Sequence, residues 1–342
     1  IPTNRAGFYM ALFFLPGVTS TVSRIANEIG PKADFVYLIF PPDFLVDELA
    51  LVQPLDTDLI RVGGLTLASL SVFSWLLARY GVAGLFDFSR PWRMAGFALA
   101  VIAGAFGGYR SVLLLMFLAF AILFWLEKLW RTRIVVMLLA AGLVGGALLV
   151  AFAHRLPLPV QRTLSFLPLN IDPVTRESAD VSTQWRLDMW RAGLPQVPRY
   201  FFRGKGYNVS SDDLYMAQIS SARGVGQSWE GAAAAGDYHN GPLSVVIPFG
   251  IYGLIAFGWL LIAGGRFLYT VYRQSVPELA RINAFLLALF LARVLFFLLF
   301  FGTLSGELYY FTGILGLSVA LNVSGKNQLA ETETPLPDAA RS

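Results

Sequence analysis

Residues 94–126 read MAGFALAVIAGAFGGYRSVLLLMFLAFAILFWL. As one straight helix this run would be about 50 Å long, against a bilayer hydrocarbon core of about 30 Å. Divided at Gly107-Gly108-Tyr109-Arg110, it makes two short spans of about 16 residues each. Flanking charge decides between the two. Arg90 and Arg93 precede the run, and Lys128, Arg131 and Arg133 follow it. The positive-inside rule places both clusters in the cytoplasm. The chain must then cross outward and return within the run. The glycine pair supplies the tight turn, and Arg110 lands alone on the outer face.

The whole chain fits that reading. It is 56% hydrophobic and only 14% charged, where soluble domains carry about 25% charged residues. Its apolar runs do not alternate with polar residues, which excludes a membrane β-barrel. The class is therefore all-α, a polytopic integral membrane protein. The net charge of +4 reflects cytoplasmic Lys/Arg anchors and not nucleic-acid binding. With no cysteine, disulfides and thiolate metal sites are excluded. The chain opens on Ile1 and has no signal-peptide layout, which predicts that it is the later part of a longer protein.

Working outward from the central run, residues 6–23 and 60–78 make the first two spans, and 134–152 make the fifth. Between the first two, Pro41-Pro42 and the acids Asp43, Asp47 and Glu48 predict an interfacial loop, because proline interrupts helical hydrogen bonding. The acids read as solvated charges on an amphipathic segment before they read as a cation site. The fifth span runs outward, so the polar interval after it lies outside. It is arginine-rich, but loops longer than about 60 residues escape the positive-inside rule. Residues 242–264 return, with Arg266, Arg273 and Arg281 behind them, and 283–301 with 306–322 form a last hairpin. Four regions follow: N-terminal spans over 1–153, a periplasmic loop with amphipathic helices over 154–240, C-terminal spans over 241–323, and a polar, disordered cytoplasmic tail over 324–342.

The residues that could do chemistry fall on the outer side. Arg110, beside Tyr109 in GGYRS, is a functional candidate at a membrane boundary or a snorkelling anchor. Arg186 and Trp190 are one helical turn apart, flanked by Asp188 and Arg191, on a helix that serves a site or simply lies at the interface. Arg203, Gly204, Lys205 and Gly206 form a basic glycine turn whose N–H groups and cations could face an anion, or a plain loop. Asp212-Asp213 reads as the first turn of a helix before it reads as a metal site. His239, in GDYHNG just before a span, is a base available near neutral pH or a polar loop residue. His154 ends the fifth span as an interface residue. The two histidines are far apart, and no zinc site is predicted. Cations on the outer face suit a lipid-linked phosphate or diphosphate, which arginine holds bidentately.

Taken together, Arg110 in GGYRS, Arg186 with Trp190, Gly204 with Gly206, and His239 with Asn240 resemble the signature of the O-antigen ligase and polymerase superfamily. The likeness covers about residues 60–322. The family's commoner Ser-Arg is Tyr109-Arg110 here. The resemblance implies a GT-C-like helical bundle in the bacterial inner membrane, with its active site on the periplasmic side. It implies a polyprenyl-diphosphate-linked glycan donor and metal-independent transfer, with no cofactor, to a hydroxyl of a glycan, a lipid A core or a protein. His239, Arg110 and Arg186 would be catalytic. Tyr109, Trp190, Arg191, Arg203, Gly204, Lys205, Gly206 and Asn240 would bind substrate.

Two readings compete with a transferase. A transporter or flippase needs polar residues near the midplane of its spans; Arg293 is the main one here, and pairing with a backbone carbonyl or with Glu307 accounts for it ahead of a transport role. A non-catalytic subunit of surface-polysaccharide export keeps the loop without the base. The transferase reading requires Arg110, Arg186 and His239 to converge, with the arginines and the imidazole about 6 to 12 Å apart across a reacting carbon and a diphosphate.

Overall fold

The computed structural model describes residues 5–19, 21–22, 26, 31–39, 63–206, 211–223, 229–234 and 236–333. The acids Asp43, Asp47 and Glu48 lie outside these. Among the described residues all regular structure is helical. Each of the eight apolar stretches read as a span is a helix. Five are long and apolar enough to cross a membrane: Gly64–Leu85, Arg133–Arg155, Gly241–Arg273, Ala280–Leu299 and Leu304–Asn322. Ala6–Val18, Pro91–Phe106 and Arg110–Leu126 are shorter apolar helices.

In chain order the helices are α1 (Ala6–Phe14), α2 (Gly63–Leu85), α3 (Pro91–Phe106), α4 (Arg110–Leu126) and α5 (Arg133–Phe152). The polar interval forms α6 (Leu158–Thr163), α7 (Pro173–Gly193), α8 (Gln196–Tyr200), α9 (Ser211–Arg223) and α10 (Glu230–Ala234). The chain closes with α11 (Gly241–Arg273), α12 (Ala280–Leu299) and α13 (Leu304–Glu333). The Gly107-Gly108 turn does separate α3 from α4, with Gly108 at φ 75°. Pro91 starts α3 at the one place where a missing N–H costs nothing.

The core is organised on α12. Phe285, Leu286, Leu287, Phe290, Phe296 and Phe297 are buried there, and α12 packs against α2, α4, α11 and α13. By contrast α5 buries none of its residues, and Gly142, Gly145 and Gly146 face open space.

Polar groups inside this apolar bundle are tied across helices. Arg293 of α12 donates to both Glu307 carboxylate oxygens at 3.1 and 3.2 Å and lies 3.4 Å above the Tyr310 ring. The pairing expected for the buried in-span arginine is present. Asn283 and Asn322 exchange hydrogen bonds of 2.9 and 3.0 Å between α12 and α13. Arg93 is more than a loop anchor: it is 9% exposed, stacks on Tyr80 at 4.2 Å and donates to the Gly84 carbonyl.

Three boundaries differ from expectation: the second span, expected to end at 78, runs to Leu85, and two more lie near the C-terminal end. The helix expected over 242–264 runs on to Arg273, and the tail expected to be disordered from 324 is helical to Glu333. The tail's KNQLAETE contains good helix formers, so the last span is propagated rather than stopped. Residues 334–342 lie outside the described ones.

α2 is broken at Gly81, where φ is 62°. The break frees the N–H groups of Val82 and Ala83, and the Glu127 carboxylate accepts them at 2.9 Å each. One acid at the end of α4 thus caps a helix restart in α2. Replacing it (Glu127→Ala) is expected to destabilise the fold by about 1–2 kcal/mol, the cost of a lost N-cap acceptor. Glu127→Gln, which keeps one acceptor, should fall between. Thermal unfolding of the detergent-solubilised protein measures both.

Candidate functional site

The site is built on α7. Asp172 caps it, accepting the N–H groups of Val174 and Thr175 at 3.0 and 3.2 Å, with Pro173 in the first turn. Its residues Ala179, Thr183, Arg186 and Trp190 follow at spacings of four, three and four, which places them along one stripe.

Arg110, at the start of α4, donates through Nη2 to the Ala179 carbonyl at 3.1 Å and to the Thr183 hydroxyl at 3.2 Å. These bonds hold it to α7, which argues against a simple snorkelling anchor. Tyr109 is the extended N-cap residue immediately before it. Thr183 lies one turn below Arg186, so both arginines act on neighbouring turns of one helix.

Arg186 and His239 meet on a third residue. The Arg186 guanidinium lies 5.3 Å from the centroid of the Phe301 ring, and the His239 imidazole is 5.0 Å from the same ring. These two contacts bound the separation of guanidinium and imidazole at about 10 Å. Trp185, next to Arg186, packs on the imidazole at 5.1 Å. His239 Nδ1 is 2.7 Å from Asp237 Oδ1, and the same oxygen accepts the His239 backbone N–H at 3.0 Å. The histidine has a φ of 46°, a left-handed conformation uncommon for a residue with a Cβ.

Trp190 fastens this segment from the other side, donating from Nε1 to the Tyr238 carbonyl at 2.9 Å. Tyr238 is 2% exposed. Burial, with the Asp213 and Tyr200 charges adding to it, pushes its phenol up to about 12, so it stays protonated at neutral pH. Asn240 caps α11, accepting from the Leu243 N–H at 3.1 Å.

Several expected anion contacts are engaged elsewhere. Lys205 pairs with Asp213, and both side chains are largely buried. Arg191 pairs with Asp188 at 2.9 Å on the surface, and Arg203 is exposed. Asp212 and Asp213 fall in the first turn of α9. His154 is exposed, and its carbonyl accepts from Gln161.

The glycine turn at 204–206 corrects the expectation that its N–H groups face an anion. Gly204 donates to Tyr200 at 2.8 Å, Lys205 to Ile247 at 2.8 Å and Gly206 to Pro248 at 2.9 Å. The cause lies in α11, which is interrupted at Pro248 and at Gly250 with φ 65°. The interruption strands the Ile247 and Pro248 carbonyls, and the turn supplies their donors. In return the Ile251 N–H donates to the Phe201 carbonyl at 2.6 Å.

Arg162 went unrecognised in the sequence. It is 5% exposed and joins the Gly108 carbonyl, through Nη1 at 3.0 Å, to the Ser178 hydroxyl, through Nε at 3.2 Å. It therefore clasps the turn before Arg110 to α7. Its neighbours are also buried ties. Gln161 accepts from the Asp172 N–H at 2.8 Å, and Thr163 donates to the Ala105 carbonyl at 2.9 Å. The one available signal was three polar residues in succession within the proline-flanked LPVQRT, too short to show a period.

The fold and these contacts define a polytopic helical membrane protein whose basic and imidazole side chains gather on one polar helix beside the bundle. Residues 95–258 match the family model described as O-Antigen ligase. The match over this segment supports a place in the O-antigen ligase/polymerase superfamily. No curated protein and no solved structure matches the chain.

Gly204 offers a direct test of the docked turn. Its φ is 72°, and a Cβ there would overlap the Pro248 carbonyl oxygen. Gly204→Ala is expected to lower stability by about 2 kcal/mol or more and to speed proteolysis within 201–206. Unchanged unfolding and proteolysis would show that the turn does not dock on α11.

Proposed function

We propose that this protein transfers a polyprenyl-diphosphate-linked oligo- or polysaccharide to an acceptor hydroxyl at the periplasmic face of the inner membrane. The family match over residues 95–258 supports membrane glycan transfer in general; donor, acceptor and face belong to this reading. The observation that carries it is the meeting of Arg186 and His239 on Phe301, with Arg110 fastened to the same helix as Arg186.

In this reading the arginines neutralise the donor diphosphate and stabilise its charge as it leaves. The acceptor oxygen attacks the anomeric carbon as its proton passes to His239. The bond from that carbon to the diphosphate oxygen breaks, and the electron pair leaves with the diphosphate. Attack opposite the leaving group inverts the configuration. The arginines fill the part that a divalent cation plays in other transferases, so the reaction is metal-independent. The lipid-linked tail stays in the bilayer beside the outer ends of the helices.

A positioned base contributes about 10²- to 10⁴-fold in rate, so His239→Ala should lower glycan transfer in isolated membranes by that factor. Transfer at the wild-type rate, with normal expression, would sink the assignment. Ligase and polymerase use the same donor and differ in acceptor. Deleting the gene and separating the surface polysaccharide on a gel distinguishes them: unattached long chains identify a ligase, and single repeat units a polymerase.

A further inference from the structure

We infer that Asp237 is a positioning residue that holds His239 in its Nδ1–H tautomer and so leaves Nε2 as the basic nitrogen. The inference rests on His239 being the base of the proposed reaction. Three observations carry it. An ionised carboxylate only accepts hydrogen bonds, so a neutral imidazole 2.7 Å from Asp237 Oδ1 must carry its proton on Nδ1. The imidazole also packs against the Trp185 and Phe301 rings, at 5.1 and 5.0 Å, which opposes rotation of the ring to exchange its nitrogens. Finally, the oxygen that meets Nδ1 also accepts the His239 backbone N–H. Side chain and backbone are thus referred to one atom, and the left-handed φ of 46° is held by the same contact.

The consequence is chemical. With Nδ1 protonated and directed to Asp237, the lone pair of Nε2 lies in the ring plane on the far side. It can take the acceptor proton while the Nδ1–H bond to the carboxylate strengthens as the ring gains charge. In the other tautomer Nε2 carries the hydrogen and cannot act as a base. Asp237 itself does not touch the reacting atoms.

Asp237 could instead serve only the 237–240 turn, and the test separates the two. The chain contains two histidines. In this 342-residue chain with His154→Gln, reconstituted in lipid nanodiscs and labelled with ¹⁵N-histidine, NMR reads the protonation of each His239 ring nitrogen directly, at a pH where the ring is neutral. The expected result is a protonated Nδ1 and an unprotonated Nε2. Asp237→Ala should move the population toward the Nε2–H form and lower kcat about 100-fold, with KM changed by less than about threefold. Asp237→Asn keeps an Oδ1 acceptor and should restore the Nδ1–H tautomer and most of the rate.

An Nε2–H ring in the unsubstituted protein would overturn the inference. So would an unchanged tautomer in Asp237→Ala, or full transfer by Asp237→Ala alongside an inactive His239→Ala. If Asp237→Ala does not fold, the tautomer of the parent protein and of Asp237→Asn decides. Should His239→Ala itself transfer normally, the proposed function fails, while the tautomer measurement still reports on Asp237.

Discussion

A proline and a glycine two residues apart break α11, and backbone hydrogen bonding across that break sets the geometry of the site. In an apolar setting every stranded carbonyl needs a donor. Ile247 and Pro248 find theirs in Lys205 and Gly206, and Ile251 donates back to Phe201. The repair holds the loop after α8 against the bundle. It also allows the short buried segment before Gly250 to take a course different from the long helix after it. His239 and Asn240 stand at the head of that short segment. The part of α11 after Gly250 spans about 34 Å at 1.5 Å per residue, enough by length to cross the membrane without it.

The remaining polar contacts follow the same logic. Arg162 satisfies the Gly108 carbonyl and reaches Ser178; Arg110 satisfies α7 at Ala179 and Thr183; Glu127 caps the restart in α2. Each joins two elements that apolar packing alone would leave free to slide, since packing is non-directional. The Arg293–Glu307 pair does this for the hairpin that carries Phe301 between α12 and α13. A buried pair of this kind is costly to half-remove and adds little net stability. Its value here is in fixing where Phe301 sits.

Much of this was legible from residue types. The division of 94–126 at Gly107-Gly108 needed only helix length and flanking charge, and five of the apolar helices follow from runs of adequate length. Arg186 and Trp190 were recognisable as one face of a helix, and Glu307 as one of two kinds of partner for Arg293. What escaped depends on contacts between segments remote in sequence. A Gly-x-Gly turn that binds an anion and one that repairs a helix share the same residues and the same positive φ. Only the stranded carbonyls of α11, more than 40 residues later, distinguish them. Pro248 lies inside 242–264, and a proline within an apolar run of that length does not by itself mark a break, because membrane helices tolerate it. Arg162 lay in a six-residue helix that shows no period, and Phe301 looked like any other apolar residue at the end of a span.

The proposal of His239 as base rests on what surrounds it. Tyr238, its neighbour, is buried and held protonated, with its phenol pushed up to about 12. Its carbonyl is occupied by Trp190, so it secures the chain on α7 instead of reacting. Asp237 points at the imidazole through the same oxygen that fixes the turn. Asp188 is engaged with Arg191, and Asp213 with Lys205. Each of these groups has its hydrogen bond directed to a structural partner, while Nε2 is the one nitrogen of the His239 ring not directed at Asp237. For the proposed transfer, the geometry sets the His239 imidazole and the Arg186 guanidinium around a single ring, with at most about 10 Å between them. The bound lies inside the upper limit of about 12 Å that a reacting carbon and one diphosphate between the two groups would set.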